Sequence, residues 1–214
     1  MGVKAIFFDV GETLVDETRH WGQWADYLGV PKLTFFAALG GVILRGGHHR
    51  DVFRVFNPDF DYRAADEARR RAGERYEFLP SDFYPDAIPC LRVLKQAGYQ
   101  IGVAGNQPEE CEVALRDAGV PADVIASSSR WGVEKPSPQF FERIVEAAGV
   151  APSSIVYVGD RYDNDIAPAY QAGLIPIFIR RGPWAFLQGE PRDSNFKFSR
   201  IASLADLPNM IPTL

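Results

Sequence analysis

The feature of this sequence that most constrains its fold is a series of short apolar runs separated by stretches with helical periodicity. The runs are apolar almost throughout and do not alternate with polar residues, which is typical of strands buried on both faces. Strands and helices that alternate along a chain form a parallel sheet covered by helices. The sequence therefore predicts an α/β fold, a parallel sheet flanked by helices. The predicted strands span residues 4–8, 100–104, 124–126, 155–158 and 176–179.

Glycines mark the ends of three predicted helices. Gly98, Gly119 and Gly173 each follow a stretch with helical periodicity. Glycine takes the left-handed backbone conformation that ends many helices without steric cost, so we expect these residues to be helix caps. Residues 181–195 are rich in proline and glycine and are predicted to be a loop. The stretch "SLADL" at 203–207 is a candidate short helix.

Residues 16–83 interrupt the alternation of strands and helices. Trp21 and Trp24 begin an apolar pattern at helical spacing, and "LTFFAALGGVIL" and the charged "DYRAADEARRRAGERYEFL" are further helical candidates. This part of the chain contains no convincing strand pattern. We therefore predict a helical subdomain over 16–83, inserted into an α/β core domain formed by 1–15 and 84–214.

Composition and charge narrow the class of partner. The chain has 214 residues and a net charge of −5, and this acidic balance argues against nucleic acid. The two cysteines, Cys90 and Cys111, lie in no metal or redox spacing, which fits a reducing compartment. The sequence shows no apolar run of membrane-spanning length. The prediction is a cytoplasmic protein without a membrane or nucleic-acid partner, and no pattern defines an oligomeric state.

Polar residues follow the predicted strands at the edge where parallel sheets bind ligands. Asp9 follows the first strand, Asn106 comes shortly after the second, and Asp160 and Asp165 follow the fourth. Acids gathered at one sheet edge repel each other unless a cation joins them. A hard divalent cation such as Mg²⁺, held by carboxylates and a substrate phosphate, meets this need, and Lys135 in "GVEKPSP" would add a second positive charge.

Four motifs in order resemble the haloacid dehalogenase superfamily, and the resemblance runs over essentially the whole chain. They are "DVGETL", "VAGN", "EKPSP" and "VGDRYDND". Each motif alone is weak evidence, whereas four in order at matching strand ends are specific. The resemblance implies a Rossmann-like core, and the helical insert stands where members with a C1-type helical cap carry that cap.

The resemblance also implies a mechanism, that of a Mg²⁺-dependent phosphatase acting on a small phosphate ester. Asp9 would be the nucleophile and form an aspartyl-phosphate intermediate. Lys135 would steady the Asp9 carboxylate and the transferring group. Asp9, Asp160 and the backbone carbonyl of Gly11 would hold Mg²⁺, and Asp165 would orient Lys135 or a water molecule bound to the metal.

Two positions depart from the family pattern. Phosphatases of this family carry a second Asp two residues after the nucleophile as general acid and base, and here that position is Gly11. The second motif normally has Ser or Thr, and here Gly105 precedes Asn106. The resemblance assigns the substrate phosphate to Gly105, Asn106 and Lys135, with backbone N–H groups in place of the hydroxyl. Glu12 is a candidate substitute for the missing acid.

These departures leave a second function open, a superfamily member that binds metal or phosphate and turns over little. Gly11 and Gly105 favour such a binding or interaction protein. The retained Asp9, Lys135 and Asp160 favour the enzyme.

A 2-haloacid dehalogenase is a weaker alternative. A halide leaving group needs no proton, but dehalogenases of this superfamily do not keep the acidic fourth motif that Asp160 and Asp165 form here. A phosphonatase would use a lysine of the cap, and Lys32 is the only lysine between 16 and 83.

Basic residues also cluster outside the four motifs. His48 and His49 lie among arginines of the insert and either bind an anionic substrate or form a solvated face. Arg180 and Arg181 follow the last predicted strand, where a solvated loop is the default expectation.

Overall fold

The computed structural model describes residues 2–74, 76–189 and 196–214. The chain divides into two compact units. We call Met1–Asp16 with Glu77–Leu214 the core unit, and Glu17–Tyr76 the helical unit.

The core unit contains a sheet of six parallel strands in the order β3-β2-β1-β4-β5-β6. This sheet, with helices between its strands, confirms the predicted α/β fold. The sequence patterns missed β6, because this short edge strand, "SRI", has only one fully buried residue and no apolar run. The strands are β1 Ala5–Phe8, β2 Gln100–Gly105, β3 Val124–Ser127, β4 Ile155–Gly159, β5 Ile175–Ile179 and β6 Ser199–Ile201.

The helical unit is built around aromatic side chains. Trp24 is fully buried and lies 5.0 Å from Phe53 between ring centroids. The guanidinium of Arg69 lies 4.2 Å from the centroid of the Trp24 ring and covers it. The α-helices of this unit are α1 Thr18–Tyr27, α2 Lys32–Leu44, α3 Val52–Phe56 and α4 Tyr62–Arg71.

Among the described residues, no single helix is long and apolar enough to cross a bilayer. The pair α1 and α2 meets the length and composition requirement only together, and the two helices are bent by 112°.

Helices of the core unit end at the glycines that the sequence indicated. Gly98, Gly119 and Gly173 have φ values of 93°, 74° and 81°, which confirms them as left-handed caps. The α-helices of this unit are α5 Ala87–Gln96, α6 Glu109–Asp117, α7 Ser128–Trp131, α8 Pro138–Ala148, α9 Ala167–Gln171, α10 Gly182–Leu187 and α11 Leu207–Met210. A π-helical turn, Tyr162–Ile166, precedes α9.

The centre of the core lies around β1. Every residue of this strand is fully buried, as its unbroken apolar run predicts. Phe7 packs in one cluster with Phe140 and Phe141 of α8. Burying a phenylalanine side chain contributes roughly 1.5–3 kcal/mol to stability, so these contacts hold in place the strand that leads into Asp9.

The prediction of a loop over residues 181–195 is wrong in its first half. Residues 182–187 form α10, and residues 190–195 lie outside the described part of the chain. Pro183 occupies the first turn of this helix, where the missing N–H costs nothing. Trp184 and Ala185 are buried, so tertiary packing stabilises a helix that is too short to be recognised from its pattern.

The boundary between the two units differs from the predicted end of the insert at residue 83. Residues 77–83 belong to the core unit, because the chain returns beside the segment that leaves it. The Asp16 N–H donates to the Asp82 carbonyl (2.7 Å), and Val15 pairs with Phe83 in an antiparallel bridge. The sequence has no local signal for this pairing.

Candidate active site

Asp9 stands at the carboxyl end of β1, where the chain leaves the sheet. Its N–H donates to the carbonyl of Val158 on the neighbouring strand β4 (2.9 Å). The Val10 carbonyl then accepts hydrogen bonds from Leu14 (2.9 Å) and Val15 (3.0 Å), so the chain turns back directly after Asp9. We call residues 10–15, which follow the predicted nucleophile Asp9, the nucleophile loop.

Asp160 and Asp165 reach the same edge from the end of β4. One carboxylate oxygen from each of Asp9, Asp160 and Asp165 lies within 4.8 Å of the others. Asp165 is oriented by the Arg161 N–H, which donates to its Oδ2 (2.9 Å). Gly159 permits this approach, because a Cβ there would lie 2.4 Å from Cγ of Asp165. The structure thus brings the three predicted acids together.

Lys135 joins two of these acids. Its Nζ lies 2.7 Å from Oδ1 of Asp9 and 2.7 Å from Oδ1 of Asp165, and its side chain is 1% exposed. Although burial lowers it, the pKa of Lys135 is held well above its ordinary value by Asp165 and Asp9. The lysine therefore stays charged and fixes the orientation of the Asp9 carboxylate.

One positive charge does not balance three carboxylates. Burial and the neighbouring Asp165 and Asp9 raise the pKa of Asp160 well above its ordinary value. Burial also raises the pKa of Asp165 to about 6, in spite of the opposing effect of Lys135. Both shifts arise from burial and from the close approach of the other carboxylates.

The donor set fits a hard divalent cation. Asp160 Oδ2 is buried and accepts no hydrogen bond within the described residues, a costly arrangement for a carboxylate oxygen. Oxygen ligands from clustered carboxylates are what Mg²⁺ prefers. The backbone carbonyl of Gly11, in the nucleophile loop, remains a predicted ligand.

Asn106 contacts the main chain of Lys135. Its Nδ2 donates to the Lys135 carbonyl (2.9 Å), and its Oδ1 accepts from the Lys135 N–H (2.7 Å). This reciprocal pair holds the lysine segment against the end of β2. The side chain of Asn106 therefore supports Lys135, and the backbone of Gly105 and Asn106 is what remains for the predicted contact with a substrate.

Gly105 lies against Asp9. A Cβ at this position would be 2.5 Å from Oδ1 of Asp9, the oxygen that pairs with Lys135. The carboxylate of Asp9 thus occupies the space where a side chain at 105 would begin.

Glu12 is buried in the nucleophile loop, and its Oε2 accepts a hydrogen bond from the Tyr84 hydroxyl (2.6 Å). Its backbone is left-handed, with φ of 53°, which is uncommon for a residue other than glycine. Gly182 lies against it, since a Cβ there would be 2.5 Å from Cβ of Glu12. The role of Glu12 as an acid stays a prediction at this point.

Arg181 is not a solvated loop residue, contrary to the sequence-based expectation. It is buried, pairs with Asp86 through two hydrogen bonds (2.7 and 3.0 Å) and donates to the Thr13 carbonyl (3.2 Å). Its guanidinium also lies 4.3 Å from the centroid of the Tyr84 ring. The sequence placed Arg181 near a strand end, but no pattern indicated a role for Tyr84. The partners of Tyr84, Glu12 and Arg181, are distant from it in sequence.

The basic cluster of the helical unit surrounds a concave surface. His48, Arg50 and Arg54 line a pocket of about 500 Å³ together with acidic and aromatic side chains. The Arg50 guanidinium lies 4.4 Å from the centroid of the Tyr62 ring.

Comparison with known proteins agrees with this fold. The haloacid dehalogenase-like hydrolase family matches residues 3–173. This match covers most of the chain, and the protein belongs to that family, as the four motifs predicted.

Individual relatives carry phosphatase names. A glyceraldehyde 3-phosphate phosphatase of Methanopyrus kandleri is 36% identical over 58% of this chain and 55% of the relative, so the match spans little more than half of that protein. The enzyme of the same name from Pyrococcus furiosus is 29% identical over 99% of this chain and 93% of the relative. A crystal structure of a haloacid dehalogenase-type phosphatase from Thermococcus onnurineus is 25% identical, covers 97% of both chains and has a TM-score of 0.62.

Proposed function

We propose that this protein is a Mg²⁺-dependent phosphatase that acts on a small phosphate ester through an aspartyl-phosphate intermediate. The observation that carries the proposal is the Asp9–Lys135–Asp165 ion-pair arrangement near a buried oxygen of Asp160 that accepts no hydrogen bond from the described residues. The phosphatase names of the relatives support the reaction class.

Asp9 is the proposed nucleophile. One of its carboxylate oxygens forms a bond to phosphorus as the bond from phosphorus to the leaving oxygen breaks, and water then hydrolyses the acyl phosphate to release inorganic phosphate. Lys135 holds the carboxylate through Oδ1 and adds positive charge beside the transferring group. Backbone N–H groups at Gly105 and Asn106 are the proposed contacts of the phosphate.

The metal site of the proposal consists of Asp9, Asp160 and the Gly11 carbonyl. When bound there, Mg²⁺ screens the repulsion between the anionic nucleophile and the anionic phosphate. Asp165 contributes either directly or through a water molecule, in addition to orienting Lys135.

Gly11 limits the substrates that suit this site. A positioned general acid is worth about 10²–10⁴ in rate, and position 11 has no side chain to supply it. Leaving groups that depart without a proton lose least, so aryl and acyl phosphates are the expected better substrates. Gly11→Asp is expected to raise turnover of alkyl phosphates more than that of aryl phosphates.

The test is release of phosphate from an aryl phosphate with Mg²⁺ and with excess chelator. Wild-type turnover that requires Mg²⁺ and disappears in Asp9→Asn supports the proposal. Asp163→Asn is the matched control, because this acid lies after β4, two residues before Asp165, but is exposed and pairs with Arg161. Turnover that survives in Asp9→Asn would overturn the role of Asp9.

A second candidate function is binding without turnover, which the two glycines at 11 and 105 favour. Its signature is a wild-type protein that binds Mg²⁺ and inorganic phosphate in calorimetry and releases no phosphate from aryl or acyl phosphates.

A further inference from the structure

The backbone of Glu12 is held in a conformation that its side chain disfavours. At φ of 53° the backbone of a residue with a Cβ is less stable than that of glycine, because the Cβ crowds the neighbouring carbonyl oxygen. Such a conformation persists only where surrounding contacts enforce it. The nucleophile loop supplies one contact, because the Glu12 N–H donates to the Val15 carbonyl (2.7 Å).

The side chain of Glu12 supplies the other contacts. Its carboxylate accepts the Tyr84 hydroxyl at 2.6 Å, a short hydrogen bond to a buried acceptor. Burial and Glu12 together raise the pKa of Tyr84, so the phenol remains the donor. Gly182 packs against the Glu12 Cβ and leaves no room for the side chain to move toward α10.

Tyr84 is itself held in place by Arg181. Arg181 covers the Tyr84 ring at 4.3 Å, and two hydrogen bonds to Asp86 hold the guanidinium in place. The same guanidinium donates to the Thr13 carbonyl (3.2 Å). Glu12 and Thr13 are therefore both hydrogen-bonded to residues outside the nucleophile loop. We call Tyr84, Arg181 and Asp86, which holds the Arg181 guanidinium, the supporting frame.

The supporting frame restrains the residue next to the peptide unit that carries the proposed metal ligand. The Gly11 carbonyl belongs to the peptide unit that joins Gly11 to Glu12, and φ of Glu12 is the rotation next to that unit. A change of this angle turns the carbonyl. We propose that Glu12 is a positioning residue, held by Tyr84 and Arg181, which sets the direction of the Gly11 carbonyl. Only the assignment of the Gly11 carbonyl as a ligand of Mg²⁺ rests on the proposed phosphatase function.

This role differs from that of a substitute acid. An acid must carry a proton to the leaving group, whereas a positioning residue needs only to accept the Tyr84 hydrogen bond. Glu12→Gln separates the two, because the glutamine amide oxygen still accepts that bond but cannot donate an acidic proton. Glu12→Ala removes both capacities, and Tyr84→Phe removes the hydrogen bond while Glu12 stays intact.

The experiment measures Mg²⁺ affinity by calorimetry and amide hydrogen exchange of residues 10–15, without substrate. Tyr84→Phe and Glu12→Ala are expected to weaken Mg²⁺ binding by roughly ten-fold, the effect of losing one hydrogen bond to a charged group. The same two variants should exchange faster at residues 10–15. Glu12→Gln should stay close to wild type. Tyr170→Phe, which loses a hydroxyl from a half-exposed ring elsewhere in the core unit, is the matched control.

Two results would overturn the proposal. One is wild-type Mg²⁺ affinity and exchange in Tyr84→Phe. The other is a Glu12→Gln variant that matches Glu12→Ala and loses activity on alkyl phosphates alone, since that is the behaviour of an acid. If the wild type binds no Mg²⁺, the proposed function fails, and the exchange rates of the same variants still decide the role of Glu12.

Discussion

At the scale of single residues, Gly105 shows that a missing side chain can be part of the site. The family pattern suggests that a hydroxyl has been lost there. The structure shows that Asp9, in the orientation that meets Lys135, fills the same space, at 2.5 Å from a Cβ at 105. Contacts this short force a neighbouring group to move.

We predict that Gly105→Ala lowers turnover of an aryl phosphate by about ten-fold or more, because the new Cβ pushes the Asp9 carboxylate away from Lys135. Gly105→Ser adds the same Cβ and a hydroxyl. Steady-state kinetics of both variants separate the two effects. Equal losses show that space decides, whereas a serine variant that exceeds wild type would show that the hydroxyl is what the site lacks.

A second prediction at this scale concerns Asp86 and the dependence of the free energy of unfolding on pH. Burial raises its pKa, but Arg181, Ser203 and the Leu204 N–H lower it more, so the folded value lies below the ordinary one. An acid with a depressed folded pKa stabilises the protein above its unfolded pKa, near 4, and loses this effect as the pH falls through the folded value.

Asp86→Asn should therefore reduce the free energy of unfolding by about 2 kcal/mol at pH 7, measured by urea denaturation. The difference from wild type should shrink below about pH 4. The exposed Asp163→Asn should change stability by less than about 0.5 kcal/mol. A constant difference between Asp86→Asn and wild type from pH 7 to pH 3 would contradict the prediction.

At the scale of elements, α10 brings several parts of the core unit together. Ala185 packs with Ile166 of the π-helical turn and with Phe178 of β5. At the start of the same helix, Gly182 meets Glu12. A short helix of low intrinsic stability thus contacts both the nucleophile loop and the π-helical turn, and the missing side chain of Gly182 leaves the space that Glu12 occupies.

Gly182→Ala should lower the free energy of unfolding by about 3 kcal/mol, the sum of a left-handed penalty and an overlap with Glu12. Gly189→Ala is the matched control. Its φ is also positive, at 61°, but a Cβ there has only the Ala185 carbonyl at 4.0 Å, so only the left-handed penalty of about 1–2 kcal/mol applies. Denaturant titrations that give the same loss of unfolding free energy for both variants would show that the overlap with Glu12 does not destabilise the protein.

At the scale of the whole molecule, the chain leaves the core unit and returns to it through two segments that lie side by side. Asp16 and Asp82 are joined by a backbone hydrogen bond (2.7 Å), and Tyr84 donates its N–H to Leu14 (3.0 Å). The ends of the segment that departs and returns are therefore held together by the core unit alone.

We predict that a chain in which Asp16 is joined directly to Glu77 still folds. Residues 77–81 would then close the short loop between paired segments, at a small entropic cost. Circular dichroism and cooperative unfolding test the fold, and calorimetry tests whether Mg²⁺ still binds. A deletion variant without a cooperative transition would show that the core unit depends on residues 17–76.

The sequence by itself determined the fold class and the acids of the site. An apolar run such as that of β1 is typical of a strand that is buried on both faces. The residue after such a strand lies at the edge of the sheet where ligands bind. Asp9, Asp160 and Asp165 could be placed together for this reason, and Gly98, Gly119 and Gly173 as caps because only glycine takes that conformation freely. These are consequences of short-range geometry.

Only the tertiary structure decided which partners the polar side chains take. Asn106 supports the Lys135 main chain, and Tyr84 and Arg181 hold Glu12 and Thr13, through hydrogen bonds between residues far apart in sequence. Such bonds leave no periodicity in the chain, since each depends on the orientation of two surfaces after packing. A side chain's type states what it can donate or accept, and the packed fold selects the group that it meets.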